Sequence, residues 1–255
     1  MKYTALALLF IICLSCNSKK EQQPVTITQA IVEETTNYPE ILLKILNAHG
    51  GLDTWKTYQT LTFTIDKAPN TDEVHTIDLH SRKDHIDMGT VSMGYDGNKA
   101  WLRDPEQTYK GNADFYHNLM FYFYAMPFVL ADQGIIYEQT EDLVVNDTSY
   151  LGLKINFEAQ IGSSSNDEYY LYYDLETYQM RWLGYTATFG AAEKSDAVNF
   201  IAYDNWTLVE HIRLPKSISW YTSENGKLTE PRNTVDFKEI RLSTEARPEA
   251  FYTNK

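Results

Sequence analysis

Between residues 59 and 242 apolar and polar side chains alternate in short runs, and a period of two commits such runs to pleated strands with unlike faces. The runs are 59–67 (QTLTFTIDK), 73–81, 84–92, 98–103, 149–158, 167–175, 178–189, 197–206, 215–223 and 232–242. Turn signals separate them: Asp96-Gly97, Gly162 beside three serines, and Asn225-Gly226, a strong two-residue hairpin cue. Strands joined in this way predict a mostly antiparallel meander.

One stretch breaks the period. HNLMFYFYAMPFVLADQG, residues 117–134, contains no charge from Leu119 to Ala131. A membrane-spanning helix needs about 20 apolar residues, and Pro127 interrupts this shorter run by removing a donor. The pattern instead predicts two helical segments, one over 115–125 and one opened by Pro127, ending at Asp132-Gln133-Gly134. A helix apolar on every side must be buried on every side. In a meander, the place for it is the concave face of a curved sheet. Before the first strand, Asn37 and Glu40 have capping-box spacing, Ile41, Leu42, Ile45 and Leu46 form a helical stripe, and Gly50-Gly51 stop it. The expected fold is mainly β (α+β). It is a curved antiparallel sheet forming an incomplete barrel, with an N-terminal helix and a helical insert plugging the concave face.

The start of the chain bears on compartment. Lys2 and the apolar run 4–12 lead into Cys13-Leu14-Ser15-Cys16 and then into polar residues. This resembles a bacterial lipoprotein signal, with 1–15 removed, Cys16 acylated, 16–36 a flexible tether, and 37–255 a single domain. Membrane attachment through the acyl chains follows. Both cysteines lie in this segment, so the body after it holds no disulfide, thiol nucleophile or cysteine metal site. The net charge of −13 argues against nucleic acid as a partner.

Taken in order, the chain shows a cysteine-terminated signal, a helix ending in His49-Gly50-Gly51, Leu52-Asp53-Thr54-Trp55, strands, GYDGNKAWL (94–102) and a helical insert. This resembles an uncharacterised family of Bacteroidota lipoproteins whose architecture is similar to the LolA/LolB lipoprotein carriers. The resemblance covers roughly residues 38–245. It implies a half-barrel with an apolar cavity for acyl chains. It also implies an envelope location, anchored to the outer membrane; Lys19 and Lys20 after Cys16, in place of acidic export signals, imply a body facing the periplasm.

Three groups of residues are candidates for a site. Met120, Phe121, Tyr122, Phe123, Tyr124, Met126 and Phe128, joined by Trp101, either fill a core or line a pocket for an apolar ligand. If 73–81 and 84–92 form a hairpin about Arg82-Lys83, His80 faces His85 and Asp78 faces Asp87, a set able to hold zinc. A solvated outer face is the plainer reading, and no metal or cofactor is expected. Tyr169, Tyr170, Tyr172, Tyr173, Trp182 and Trp220 could stack on glycans, but alternation divides them between two faces. No GxSxG, P-loop, dinucleotide or HExxH motif occurs, so no catalytic residue is singled out and a small envelope hydrolase is the lesser alternative. The function expected is non-catalytic binding or carriage of a lipid or other apolar ligand, with surface glycan binding as the alternative.

Overall fold

The computed structural model describes residues 38–67, 71–158, 167–187, 197–224 and 227–254. Cys16, the signal, the tether, Asn37, Gly162 and Asn225-Gly226 lie outside them. Thr36–Lys255 forms one compact unit.

Two helices open it, α1 (Glu40–Ala48) and α2 (Leu52–Thr57). Leu42, Ile45 and Leu46 are the buried face of α1, as the stripe requires. The N-cap position is Pro39, with no side-chain cap, and Glu40 pairs with Lys44 at 2.8 Å rather than reaching back along the chain. The stop is built as expected. Gly51 N–H donates to the Leu46 carbonyl and Gly50 N–H to Asn47, a Schellman closure. Gly50 has φ +114°, and a Cβ there would stand 2.3 Å from the His211 carbonyl. No other residue fits this contact.

The first five strands are β1 (Thr60–Ile65), β2 (Glu73–Asp78), β3 (Asp84–Met88), β4 (Val91–Tyr95) and β5 (Ala100–Arg103). The insert follows as α3 (Ala113–Tyr116), α4 (Leu119–Tyr124) and a 3-10 turn at Phe128–Ala131. The remaining strands are β6 (Ile135–Gln139), β7 (Leu143–Val145), β8 (Thr148–Phe157), β9 (Tyr169–Tyr173), β10 (Met180–Tyr185), β11 (Asn199–Val209), β12 (Ile212–Glu224) and β13 (Lys227–Ser243). A last 3-10 turn spans Glu249–Tyr252.

All pairings are antiparallel, and the sheet order is β5-β4-β3-β2-β1-β13-β12-β11-β10-β9-β8-β6, with β7 beside β8. The first and last strands meet at the centre, where Thr60 faces Ser243 and Ile65 faces Phe237. The two edges, β5 and β6, stay unpaired with each other, so the barrel is incomplete. These edge strands are consecutive in the chain. The segment between them must therefore pass from one edge of the sheet to the other, and its apolar surface draws it across the concave face.

Register fixes which residues meet it. On β1, Leu61, Phe63 and Ile65 face inward; Leu171, Leu183, Ile201 and Ile218 do so on the far wing, all at most 2% exposed. A second, smaller apolar cluster lies on the outer face of the far wing. There Tyr172, Trp182 and Ala202 are covered by Val145 of β7. A Cβ at Gly152, opposite Tyr172, would come within 2.4 Å of Thr140, which shows how closely that cover is seated.

Candidate functional site

The uncharged run is the plug its composition demands, but its two halves differ. Tyr124 lies 4.3 Å from the Phe63 ring and 4.4 Å from Phe237, centre to centre. Phe123 meets Tyr185 at 5.1 Å and Trp220 at 5.7 Å. Met120, Phe121, Phe123, Tyr124 and Met126 are all 7% exposed or less. These residues fill the interior. Tyr122 is the exception and reaches the surface.

Polar groups fasten the plug. Tyr203 O–H donates to the Phe123 carbonyl at 2.6 Å, Tyr137 to Leu130 and Tyr38 to Ala131. His117, before α4, donates from Nδ1 to Asp84 Oδ2 at 2.7 Å and stacks on Tyr95. Burial pushes the Asp84 carboxyl up to about 6 against the pull of His117. Tyr116 donates to Glu73 at 2.7 Å; Glu73 also accepts from His75, a fully buried ring stacked on Phe63. Burial holds His75 neutral, below its ordinary range. His49, at the end of α1, belongs to the core in the same way. Its Nδ1 donates to the Ile45 carbonyl, its ring meets Trp206 edge-on, and burial lowers it to about 4.

The other half of the run is where space remains. Phe128 stacks on Trp55 of α2 with ring centres 4.6 Å apart and planes within 7°. Beside them opens a cavity of about 270 Å³. Its apolar wall is Leu52, Trp55, Tyr58, Leu79 and Phe128, and Lys56, His80, Arg82 and Asp132 supply its polar side. Three separate segments meet there: α2, the turn after β2, and the end of the insert.

The turn places Arg82. Asp78 Oδ1 accepts from the His80 and Ser81 backbone N–H groups, and Arg82 N–H closes back onto the Asp78 carbonyl. Arg82 therefore adopts φ +61°, a left-handed conformation that costs a residue with a Cβ about 1–2 kcal/mol. Its guanidinium lies over the Phe121 ring at 5.2 Å and donates from Nη2 to Asp132 at 2.5 Å. Nη1 is buried and has no hydrogen-bond partner among the described residues. Burial raises the Asp132 carboxyl, and Arg82 opposes the shift. With Lys56 and Arg82 set against Asp132, the cavity wall carries one net positive charge, in a chain of net charge −13.

Two expectations need correction, and the expected division of the Tyr/Trp set is met. The β2–β3 register pairs Thr76 with His85 and Val74 with Asp87, so the turn is wider than a hairpin about Arg82-Lys83. His80 then donates to the Tyr58 carbonyl, His85 to Phe251, Asp78 caps the turn, and Asp87 accepts from Gly89. The four do not converge, and no cluster with metal-ligand character occurs among the described residues. Trp101 pairs through Gly94 with His85 on the outer face, where its Nε1–H donates to the Tyr252 carbonyl. It stands on the opposite side of the sheet from the plug. The Tyr/Trp set divides as alternation dictates: Tyr170, Tyr172 and Trp182 lie outside, Tyr169, Tyr173 and Trp220 inside. Tyr172 and Trp182 are each 7% exposed, which leaves no flat stacking platform between them.

Of the residues singled out by composition, Phe128 and His80 alone line the cavity. Trp55 and Arg82 were missed. The signal for Trp55 was the LDTW segment beside the HGG stop. For Arg82 it was an arginine in the turn of an otherwise core-facing hairpin.

No helix among the described residues is long and apolar enough to cross a membrane. Strand order, the bridging insert and the cavity together define an antiparallel half-barrel with a plugged concave face. A family of unknown function, DUF6503, matches residues 89–234, and the chain belongs to that family. No curated protein matches the sequence. Among solved structures the chain is similar to a DUF1329 family protein from Desulfovibrio piger, at 10% identity over 84% of this chain and 96% of that one, TM-score 0.48. It is similar to a domain assigned to outer membrane lipoprotein sorting from Vibrio parahaemolyticus, at 10% identity over 83% and 94%, TM-score 0.44. A LolA superfamily protein from Nitrosomonas europaea matches at 8% identity over 76% and 88%, TM-score 0.36.

Proposed function

We propose that the protein is an envelope lipoprotein, anchored through Cys16 to the outer membrane and facing the periplasm, that binds an amphipathic ligand without transforming it. The observation that carries this reading is the cavity at Trp55 and Phe128. Its apolar wall and single charged side are the division expected of a site for a molecule with an apolar body and a polar head. Phe121, Phe123 and Tyr124 support the cavity from within the core, and Phe128 contacts the ligand.

The test is direct. The body, Thr36–Lys255, contains every core residue among those described and is purified without detergent. Solvent extraction followed by mass spectrometry reveals a co-purified amphiphile, and a fluorescent fatty acid titrates to saturation at one site. Absence of both overturns the proposal.

A further inference from the structure

We infer that the ligand of this cavity is a single-chain amphiphile with one carboxylate head, held by Arg82 and Lys56. The inference rests on the reading of the cavity as a binding site and goes beyond it in naming the chemistry. Size comes first. About 270 Å³ is the room of roughly nine waters at about 30 Å³ each, and lies just under the range of ordinary small-ligand sites. One short apolar chain fits it, and a multiply acylated anchor does not.

Charge comes second. Lys56 and Arg82 against Asp132 leave one positive charge, which a carboxylate neutralises and a doubly charged phosphate monoester overshoots.

Hydrogen bonding comes third. Asp132 occupies Nη2 of Arg82 and the ring of Phe121 lies against the guanidinium, which holds the cation at the cavity wall. A carboxylate there gains charge-assisted hydrogen bonds that a neutral head lacks. Lys56, exposed at the rim, is free to approach the second oxygen. Trp55 and Phe128, stacked on each other, back the apolar side of the cavity, and Leu52 presents its half-buried side chain there.

The experiment is calorimetric titration of Thr36–Lys255 with octanoate, octanol, octyl phosphate and a triacylated lipopeptide. Octanoate is expected to bind one to one, roughly tenfold or more tighter than octanol, the margin of a charge-assisted hydrogen bond. Arg82→Met and Lys56→Met are each expected to lower octanoate affinity more than octanol affinity. If Arg82→Met fails to fold, Lys56→Met carries the test from an exposed position. Equal binding of alcohol and carboxylate overturns the carboxylate head, while the cavity remains an apolar site. Tighter binding of the phosphate or the lipopeptide overturns the single-chain carboxylate in the same way. If nothing binds, the reading of the cavity as a site falls with it.

Discussion

The two halves of the insert share a composition and meet different fates. Phe123 and Tyr124 face the central strands, where Phe63, Phe237, Tyr203 and Trp220 pack against them. Phe128 faces α2 and the turn after β2, backbone elements held at their own distances by their own hydrogen bonds, and a cavity remains beside it. Hydrophobicity decides that a run is buried. Whether it is buried tightly depends on what stands opposite, and loops and short helices fill space less evenly than facing strands. In this molecule both halves are buried and contribute stability, and the second also backs a cavity open to recognition.

That contrast can be broken by truncation. Tyr124→Ala is expected to lower stability by about 3–5 kcal/mol, as for other large core aromatics. Leu52→Ala, on a half-buried cavity wall, should cost about 1 kcal/mol or less. Urea midpoints check both, and similar losses would erase the distinction between the halves.

Acid sharpens it. His49 stays neutral down to about 4, so as pH falls below 6.5 the unfolded chain takes up a proton that the folded chain refuses. Its stabilisation is present above pH 6.5 and lost toward pH 4, a change of about 3 kcal/mol. Asp84, raised to about 6 from 3.8, acts in the opposite sense: the folded state holds the proton first, and stability is gained as pH falls through that window. Asp84→Asn, which removes this compensation, should therefore steepen the loss between about pH 7 and pH 4.5, by about 2 kcal/mol. His49→Asn should flatten it. Parallel pH profiles for the two variants would contradict the assignment.

A smaller pair of effects compares one change at two places. Tyr203→Phe removes the bond to the Phe123 carbonyl and should cost about 1 kcal/mol. Tyr124→Phe removes a buried hydroxyl without a partner among the described residues and should gain about as much. Losses in both would mean that the Tyr124 hydroxyl has an acceptor after all.

Much of the fold was legible in residue patterns, because alternation and apolar runs report burial directly. Leu42, Ile45 and Leu46 and the strand at Thr60–Ile65 follow from period, and the plug from an uncharged run that breaks it. What escaped depended on turns and edges. Residues 84–92 read as one strand, yet Gly89 at φ +80° with Thr90 folds it into β3 and β4, Met88 facing Val91. At the sheet edge, β6 buries little of itself, so IIYEQ carries no clean alternation. The β2–β3 register depended on an Asp78 side chain that caps a wider turn, and with it went the apparent His/Asp cluster. The cavity was hidden for a different reason. Its walls come from residues 52–58, 79–82 and 128–132, and only the sheet order brings these together.

The central claim is that the hollow half of the insert is a binding site, and filling the hollow tests it. Leu52→Trp places a ring where the ligand's body would lie. A fluorescent fatty acid titrated against the wild-type body should saturate at one site, and against Leu52→Trp should show no saturable binding while the urea midpoint stays within about 1 kcal/mol of wild type. Undiminished binding in the variant, or no saturation in the wild type, would contradict the account.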